Sequence, residues 1–294
     1  MVGMISAKSV KDLRDKTGAG MMDCKRALGD ADGDVEKAVE LLRERGFAKA
    51  GKRGGKATSE GAVSIAIQGS IAAMVEVGCE TDFVARTDLF VEFGNQLAET
   101  VAKDQSIDGP DALLKASIDG ETVADKVTAA INRLGENVVI KRVTRLDAGA
   151  SGIAGGYVHA GGNLGVVVTL ATEGSGAELE ALAKDLAMHV AAADPSPIAV
   201  DRSGIDSAFL DSERTIFRNQ AVQSGKPEGG VEKIVEGRIN KYLTEICLVE
   251  QAFVKDPERT IGDLLRDVGA KVGAETSVNG YQRYKLGEGD AGEA

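Results

Sequence analysis

The middle of the chain carries one apolar pattern twice, at an offset of 93 residues. Residues 63–77 predict two strands that turn at Gly69-Ser70, and Gly162-Asn163 stands at the matching turn of the second copy. Residues 89–101 then predict a helix. Its apolar positions return in the second copy, where Leu182, Leu186 and Val190 match Leu89, Phe93 and Leu97. Because a helix can cover one face of a hairpin, each copy predicts a small α+β unit.

Each copy has a further strand-forming segment after its helices, at residues 138–146 and 276–286. The predicted fold class is therefore α+β, with a duplicated core of two small antiparallel sheets covered by helices. We expect residues 61–146 to form the first half of this core and residues 147–286 the second. A helical hairpin at about 207–249 is predicted as an insertion, because two helical patterns flank a Ser-Gly-Lys-Pro turn.

Three short helices are predicted at the N-terminus. Val10 and Leu13 share one apolar face of the first helix. Asp34 can cap the third helix and Gly46 can end it. Three helices in residues 1–46 bury only a thin core, so we expect a marginally stable domain suited to docking.

The charge balance changes sharply near residue 58. Residues 1–58 hold 13 basic and 9 acidic side chains, a balance of +4, whereas the remainder holds 22 and 37, a balance of −15. Glycine and lysine replace the apolar pattern at this change, so residues 47–60 are predicted to be a basic, mobile linker. The polar residues 287–294 are expected to be frayed.

The composition argues against several classes of protein. A net charge of −11 and a pI near 4.9 argue against nucleic acid as the main partner, since phosphate binding needs concentrated positive charge. No run approaches the ~18 apolar residues of a membrane span, and the first residues lack the apolar core of a signal peptide. Cys24, Cys79 and Cys247 lie too far apart for a disulfide framework. We therefore expect a cytoplasmic protein with reduced thiols and no membrane contact.

No motif indicates an enzyme, a cofactor site or a metal site. Residues 46–53 nearly spell a phosphate-binding loop, but Arg53 replaces the Ser or Thr that would hold magnesium, and a helix precedes it. Residues 161–165 predict a hairpin turn and not a dinucleotide fingerprint, because strands flank them. His189 lies at the edge of an apolar helix face, which favours a structural histidine. We expect a binding protein without catalytic residues, cofactor or metal.

The two copies differ in the connection between the second strand and the helix. The first copy has Glu80-Thr81-Asp82-Phe83-Val84-Ala85-Arg86, and the second has Glu173-Gly174-Ser175-Gly176. Small flexible residues therefore suffice for the connection itself. Two interpretations of Thr81-Asp82-Phe83 stay open: a packed ring with a helix cap, or a wedge that the loop presents to a partner.

Two long segments are specific enough to compare with known families. Residues 13–28 read LRDKTGAGMMDCKRAL, and residues 76–86 read EVGCETDFVAR. Shorter segments follow in order: GEN at 135–137, MHVAA at 188–192, SGKP at 224–227 and VEGR at 235–238. Together they resemble the bacterial translation elongation factor Ts family over essentially the whole chain. Gly78 is a departure, since the family usually has Asn there.

The resemblance implies guanine-nucleotide exchange on elongation factor Tu, the GTPase that delivers aminoacyl-tRNA to the ribosome. The family's loop that disturbs the magnesium and phosphate contacts of this GTPase corresponds to Thr81, Asp82, Phe83 and Val84. Other family contacts with the GTPase correspond to Lys25, Leu164, Gly165 and His189.

The N-terminal three-helix domain is expected to be ubiquitin-associated-like. The expected partner is elongation factor Tu, nucleotide-free or GDP-bound, in a 1:1 or a 2:2 complex, and a dimer of the free chain stays open. The alternative is a protein-binding adaptor with a ubiquitin-associated-like module and no exchange activity. An adaptor has no need of a wedge in one copy alone, so Thr81-Asp82-Phe83 discriminates between the two hypotheses.

Overall fold

The computed structural model describes residues 5–224 and 228–288, which fold into α-helices and small antiparallel sheets. The described helices are α1 (Ala7–Thr17), α2 (Met21–Asp30), α3 (Val35–Arg53), α4 (Asp82–Ala85), α5 (Asp88–Lys103), α6 (Pro110–Lys115), α7 (Val123–Leu134), α8 (Ala177–Ala192), α9 (Ser207–Gln223), α10 (Glu228–Ile246) and α11 (Ile261–Val272). The described strands are β1 (Glu60–Gln68), β2 (Ile71–Cys79), β3 (Ser117–Ile118), β4 (Glu121–Thr122), β5 (Val138–Asp147), β6 (Ile153–Val158), β7 (Leu164–Thr172), β8 (Ala252–Phe253), β9 (Asp256–Thr260) and β10 (Thr276–Lys285). None of these described helices combines the length and the apolar content that crossing a membrane requires.

Two three-stranded antiparallel sheets form the core, in the orders β1-β2-β5 and β10-β7-β6. Strand β2 begins at Ile71 and β7 at Leu164, so the predicted offset of 93 residues is confirmed. The third strands, β5 and β10, lie in the two segments where third strands are predicted. In the first sheet Cys79 pairs with Val138, which brings the end of β2 to the start of β5.

Each sheet has a helix on one face and the other sheet on the opposite face. The residues that α5 buries against the first sheet include Phe90, Phe93, Leu97 and Val101. The residues that α8 buries against the second sheet include Leu182, Leu186 and Val190. The strand residues that meet between the sheets include Val63, Met74, Val167 and Tyr284. Because side chains alternate along a strand, both faces of each sheet contribute to an apolar layer.

A charged contact joins the two sheets. Arg142 of β5 forms an ion pair with the buried carboxylate of Glu76. Its guanidinium carbon lies 4.2 Å from the ring centroid of Tyr284 on β10, and it donates a 2.9 Å hydrogen bond to the carbonyl of Lys285. The guanidinium must lie over the Tyr284 ring and beside the Glu76 carboxylate at the same time. This contact therefore restricts the orientation of one sheet relative to the other.

The N-terminal helices are confirmed, but the predicted end of the third helix at Gly46 is wrong. Helix α3 continues to Arg53, so residues 47–53 of the predicted linker are helical. A Cβ at Gly46 would lie 2.5 Å from Nδ2 of Asn132 on α7. The glycine therefore serves a close approach of two helices instead of a helix end.

Helix α7 supports the N-terminal helices on the core. Arg43 of α3 donates a 2.8 Å hydrogen bond to the carboxylate of Asp125 on α7, and this bond lowers the pKa of Asp125. Residues 54–59 then connect α3 to β1. The domain limits proposed from the sequence stay predictions, but the helical part of the expected linker lies against the core.

Helices α9 and α10 form the predicted hairpin. The apolar residues buried in it include Ala221, Val231, Val235, Ile239 and Leu243. Residues 225–227 of its predicted turn lie outside the described residues, as do residues 289–294 of the predicted frayed end.

A substitution of Gly61, at the start of β1, tests the strand register of the first sheet. Its φ is +155°, and a Cβ would lie 2.1 Å from the carbonyl oxygen of Val77. We predict that Gly61→Ala lowers the free energy of unfolding by about 3 kcal/mol, because a backbone clash adds to the strain of a positive φ. Denaturant unfolding followed by circular dichroism measures this loss.

The control for this substitution is Gly69→Ala in the turn between β1 and β2. Gly69 also has a positive φ, +60°, but a Cβ there meets no atom within 4 Å. The control should therefore cost only about 1 kcal/mol. Equal losses for the two variants would contradict the register of β1 and β2.

Candidate functional site

The loop that differs between the two copies lies at the end of β2 and leads into α4. Thr81 caps α4, since its hydroxyl accepts a 3.4 Å hydrogen bond from the backbone N–H of Val84. Phe83 follows within α4 and is 82% exposed, so the interpretation as a packed ring is wrong. Asp82 forms a 3.1 Å ion pair with Arg86, one turn later. The loop therefore presents an apolar ring to solvent on a capped helical turn.

Glu136, between α7 and β5, binds the residues that precede Phe83. Its Oε2 accepts hydrogen bonds from the backbone N–H groups of Glu80, at 3.1 Å, and of Thr81, at 2.9 Å. Its Oε1 accepts a 2.7 Å hydrogen bond from the Thr81 hydroxyl. One carboxylate thus satisfies three donors of the turn that leads into α4.

Glu80 makes the reciprocal contact. Its carboxylate accepts a 2.7 Å hydrogen bond from the backbone N–H of Asn137, the neighbour of Glu136. Arg53, at the end of α3, and Lys56 also donate to it, at 2.9 and 3.0 Å. The bond from Asn137, together with those from Lys56 and Arg53, holds the pKa of Glu80 below its ordinary value. We refer to Glu80 and Glu136 as the carboxylate clamp.

Two small residues precede the clamp on β2. A Cβ at Gly78 would lie 2.8 Å from Cε of Lys141 and 3.0 Å from Oγ1 of Thr58. Thr58, in the connection after α3, thus takes space that an Asn side chain at position 78 would need. Cys79 is buried, and its thiol donates to the carbonyl of Thr81 at 3.2 Å. Burial raises the pKa of Cys79 to about 11, so the thiol stays protonated at neutral pH.

Lys25 lies on a second exposed surface, on helix α2. Met21 and Met22, one helical turn before it, are 48% and 64% exposed. Residues three and four apart share a helix face, so these three side chains form one patch, which we call the α2 patch. Exposed apolar side chains beside a charge are typical of a protein-binding surface.

Leu164 and Gly165 open β7, where the two sheets meet. Gly165 is buried, and a Cβ there would lie 2.4 Å from Cγ1 of Val63 on β1. Leu164 is half-buried and pairs with Lys285 in the strand register. The absence of a side chain at Gly165 thus allows the two sheets to pack closely. Of the two residues, Leu164 is the one that is partly exposed and can contact a partner.

His189 is 1% exposed, which differs from the surface position that a partner contact requires. Its Nε2 lies 3.0 Å from Oε1 of Gln251, and its Nδ1 accepts a 3.3 Å hydrogen bond from the backbone N–H of Val254. These two partners assign a neutral imidazole with its proton on Nε2. Burial lowers the pKa of His189, in agreement with that assignment. The side chain supports the exposed turn at Val254 from inside.

The buried His189 predicts a pH dependence of stability. Because folding lowers its pKa, the imidazole stays neutral in the native state where the unfolded chain already binds a proton. Its stabilising contribution is present above the unfolded pKa of about 6.5 and declines as the pH falls towards the native pKa. We predict a decrease in the free energy of unfolding below about pH 6.5, of at most about 1.4 kcal/mol per pH unit from this residue.

The matched variants are His189→Gln and His159→Gln, measured by chemical unfolding at stepped pH. His189→Gln should remove this part of the pH dependence. His159→Gln should retain it, because the His159 side chain is exposed. The same slope in all three proteins would contradict a buried neutral imidazole.

The structure brings four predicted site residues together and separates the others. Thr81, Asp82, Phe83 and Val84 form one turn, while Lys25, Leu164 with Gly165, and His189 lie on α2, β7 and α8. The carboxylate clamp does not follow from the sequence, because its two members are 56 residues apart. The GEN segment at 135–137 contributes to the family resemblance but does not indicate a role for Glu136.

Comparisons with known proteins identify the family. The profile of a family described as Elongation factor TS matches residues 80–288. A protein of Clostridium botulinum (strain 657 / Type Ba4) named Elongation factor Ts is 46% identical over 290 residues, which cover 97% of this chain and 94% of the relative. Another Elongation factor Ts, from Thioalkalivibrio sulfidiphilus (strain HL-EbGR7), is 48% identical over 287 residues, which cover 97% and 93%. The chain therefore belongs to the elongation factor Ts family of translation elongation factors.

Proposed function

We propose that the chain is a guanine-nucleotide exchange factor for elongation factor Tu. It binds the GDP complex of this GTPase and promotes GDP release by disturbing the magnesium and phosphate contacts. The nucleotide-free complex then persists until GTP rebinds. The loop of Thr81, Asp82, Phe83 and Val84 acts at the nucleotide, and the other exposed surfaces bind the rest of the partner.

The observation that supports this proposal most is the exposure of Phe83 on a fixed support. An apolar ring that is 82% exposed gains little from the fold of its own chain, since apolar stabilisation scales with the area removed from water. The residues before it are nevertheless fixed by Glu136. The matching connection of the second copy, residues 173–176, carries no ring. A ring presented in this way is suited to insertion into a partner.

The energetics of exchange require further contacts. A protein that weakens nucleotide binding must itself bind the nucleotide-free GTPase more tightly than the GDP complex, by the same ratio. A ratio of about 10⁴ corresponds to about 5.5 kcal/mol, whereas one strong contact residue contributes about 2–4 kcal/mol. We assign the difference to the α2 patch with Lys25 and to the surface near Leu164.

Asp82 acts beside the ring in this proposal. Its ion pair with Arg86 stiffens the turn, and its carboxylate stays partly exposed. Near a bound nucleotide, the negative charge would repel phosphate and offer magnesium an alternative oxygen ligand. Both effects favour the nucleotide-free state of the partner.

The proposed function also implies a class of protein and a cellular location. We infer that the protein is not an enzyme, because exchange needs no covalent chemistry and no cofactor. The N-terminal helices serve as a ubiquitin-associated-like docking domain. The net charge of −11 supports a protein partner over nucleic acid, and the site of action is the cytoplasm, where translation takes place.

We predict that Phe83→Ala slows GDP release from elongation factor Tu at least tenfold, which corresponds to about 1.4 kcal/mol of transition-state stabilisation. Binding of the nucleotide-free partner should persist, because the other surfaces remain. Stopped-flow release of fluorescent GDP into excess unlabelled GDP measures the rate.

The control for this experiment is Phe209→Ala, another exposed phenylalanine, on α9. It should leave GDP release within about twofold of the unaltered protein. If Phe83→Ala releases GDP at the unaltered rate, the ring is not the exchange element. If the unaltered protein gives no acceleration at catalytic amounts, the adaptor hypothesis is favoured instead.

A further inference from the structure

We propose that Glu136 is a positioning residue for exchange, whose carboxylate sets the orientation of Phe83 without touching the nucleotide. The proposal rests on the exchange function proposed above and deepens it, because it makes the contact of Glu136 with the loop a requirement for the rate of exchange. It starts from the size of α4, a helix of four residues that carries the ring.

Helix α4 is too short to be stable by itself. A single helical turn is unfavourable in water, because nucleation fixes several backbone dihedrals for one hydrogen bond. At its C-terminal end Ala85 is buried in the core, and at its N-terminal end Thr81 is the cap. Val84, between them, packs against the same core, so the position of Thr81 acts together with this packing to set the orientation of Asp82 and Phe83.

Glu136 fixes Thr81 through two donors. The Thr81 N–H and hydroxyl reach the two carboxylate oxygens at 2.9 and 2.7 Å, so the contact is bidentate. Hydrogen bonds to an ionised acceptor are roughly twice as strong as neutral ones. The third donor, the N–H of Glu80, precedes Thr81 and extends the same contact along the chain.

Glu136 itself has a rigid support. Gly135, before it, ends α7 in the left-handed conformation with a φ of +76°. Asn137, after it, is buried, and its Nδ2 donates to the carbonyl of Lys56 at 3.0 Å. The Asn137 backbone N–H is bound by Glu80. The carboxylate that positions the loop is thus placed by a helix end and a strand start.

Glu136 and Glu80 differ in what they bind. The hydrogen bonds described for Glu80 come from Asn137, Arg53 and Lys56, which lie outside the loop of Phe83. Those described for Glu136 come from the start of that loop. Glu136 is therefore the member of the carboxylate clamp that acts directly on the support of the ring.

The test compares Glu136→Gln with the matched control Asp263→Asn. Gln keeps the size of Glu but removes its charge, and its NH₂ group faces either the two backbone N–H groups or the Thr81 hydroxyl, which must then accept instead of donate. Asp263 is a similar capping carboxylate on α11, which accepts hydrogen bonds from the N–H and the hydroxyl of Thr260 at 3.0 and 2.8 Å. We expect GDP release at saturating amounts of the factor to slow at least tenfold with Glu136→Gln and to stay within twofold with Asp263→Asn. The affinity for nucleotide-free elongation factor Tu should change less than threefold in both.

A second measurement needs no partner. The chain contains no tryptophan, so Phe83→Trp places a single indole on α4. The steady-state fluorescence anisotropy of this indole should be lower in the double variant Phe83→Trp/Glu136→Gln than in Phe83→Trp alone. It should be unchanged in the double variant Phe83→Trp/Asp263→Asn. Lower anisotropy together with slower release supports the positioning role.

Three results would overturn it. They are an unchanged release rate with Glu136→Gln, equal slowing by Asp263→Asn, and slower release with unchanged anisotropy. If the unaltered protein does not accelerate GDP release, the proposed function fails, and the anisotropy alone decides whether Glu136 positions the ring. If Glu136→Gln does not fold, Glu136→Asp replaces it, because the shorter side chain withdraws the carboxylate from Thr81 while the hydroxyl cap of α4 stays in place, and the same outcomes apply.

Discussion

The carboxylate clamp of Glu80 and Glu136 holds together the end of the first sheet. Glu80 accepts a hydrogen bond from the backbone N–H of Asn137, next to Glu136, and Glu136 accepts from the backbone N–H groups of Glu80 and Thr81. The end of β2 and the start of β5 are therefore joined beyond their last strand pair. Arg53 extends the contact to α3, which carries the N-terminal helices. One group of hydrogen bonds thus relates the loop of Phe83, the core and the α2 patch.

The duplicated core provides what such a group requires, a scaffold of fixed shape. Two sheets packed face to face, each covered by a helix, leave the connections between strand and helix at the surface. The contact of Arg142 with Glu76 and Tyr284 restricts the angle between the sheets. The duplicated core contains this scaffold twice. The connection of the first copy carries the ring of Phe83, whereas the connection of the second copy carries no ring. The protein therefore presents separate exposed surfaces whose relative positions are set by packing.

The elements that follow from periodicity could be predicted from the sequence, because alternation and helical spacing are local. The offset of 93 residues and the third strands are examples. The prediction for Gly46 is wrong because glycine occurs both at helix ends and where two helices lie close together, and the proximity of Asn132 on α7 is a contact between distant residues. The partners of Glu136 and His189 could not be predicted, since residues distant in the chain supply them. The exposure of Phe83 was one of two open alternatives, which local sequence cannot separate.

The proposed exchange function requires that this preorganised surface fits the nucleotide-free state of elongation factor Tu better than the GDP-bound state. Isothermal titration calorimetry of the protein against each state measures the two affinities directly. We predict that the nucleotide-free state binds at least about a thousandfold more tightly, with the affinity for GDP reduced by the same factor in the complex. Equal affinities for the two states would contradict it, because a protein that binds both equally cannot shift the equilibrium between them.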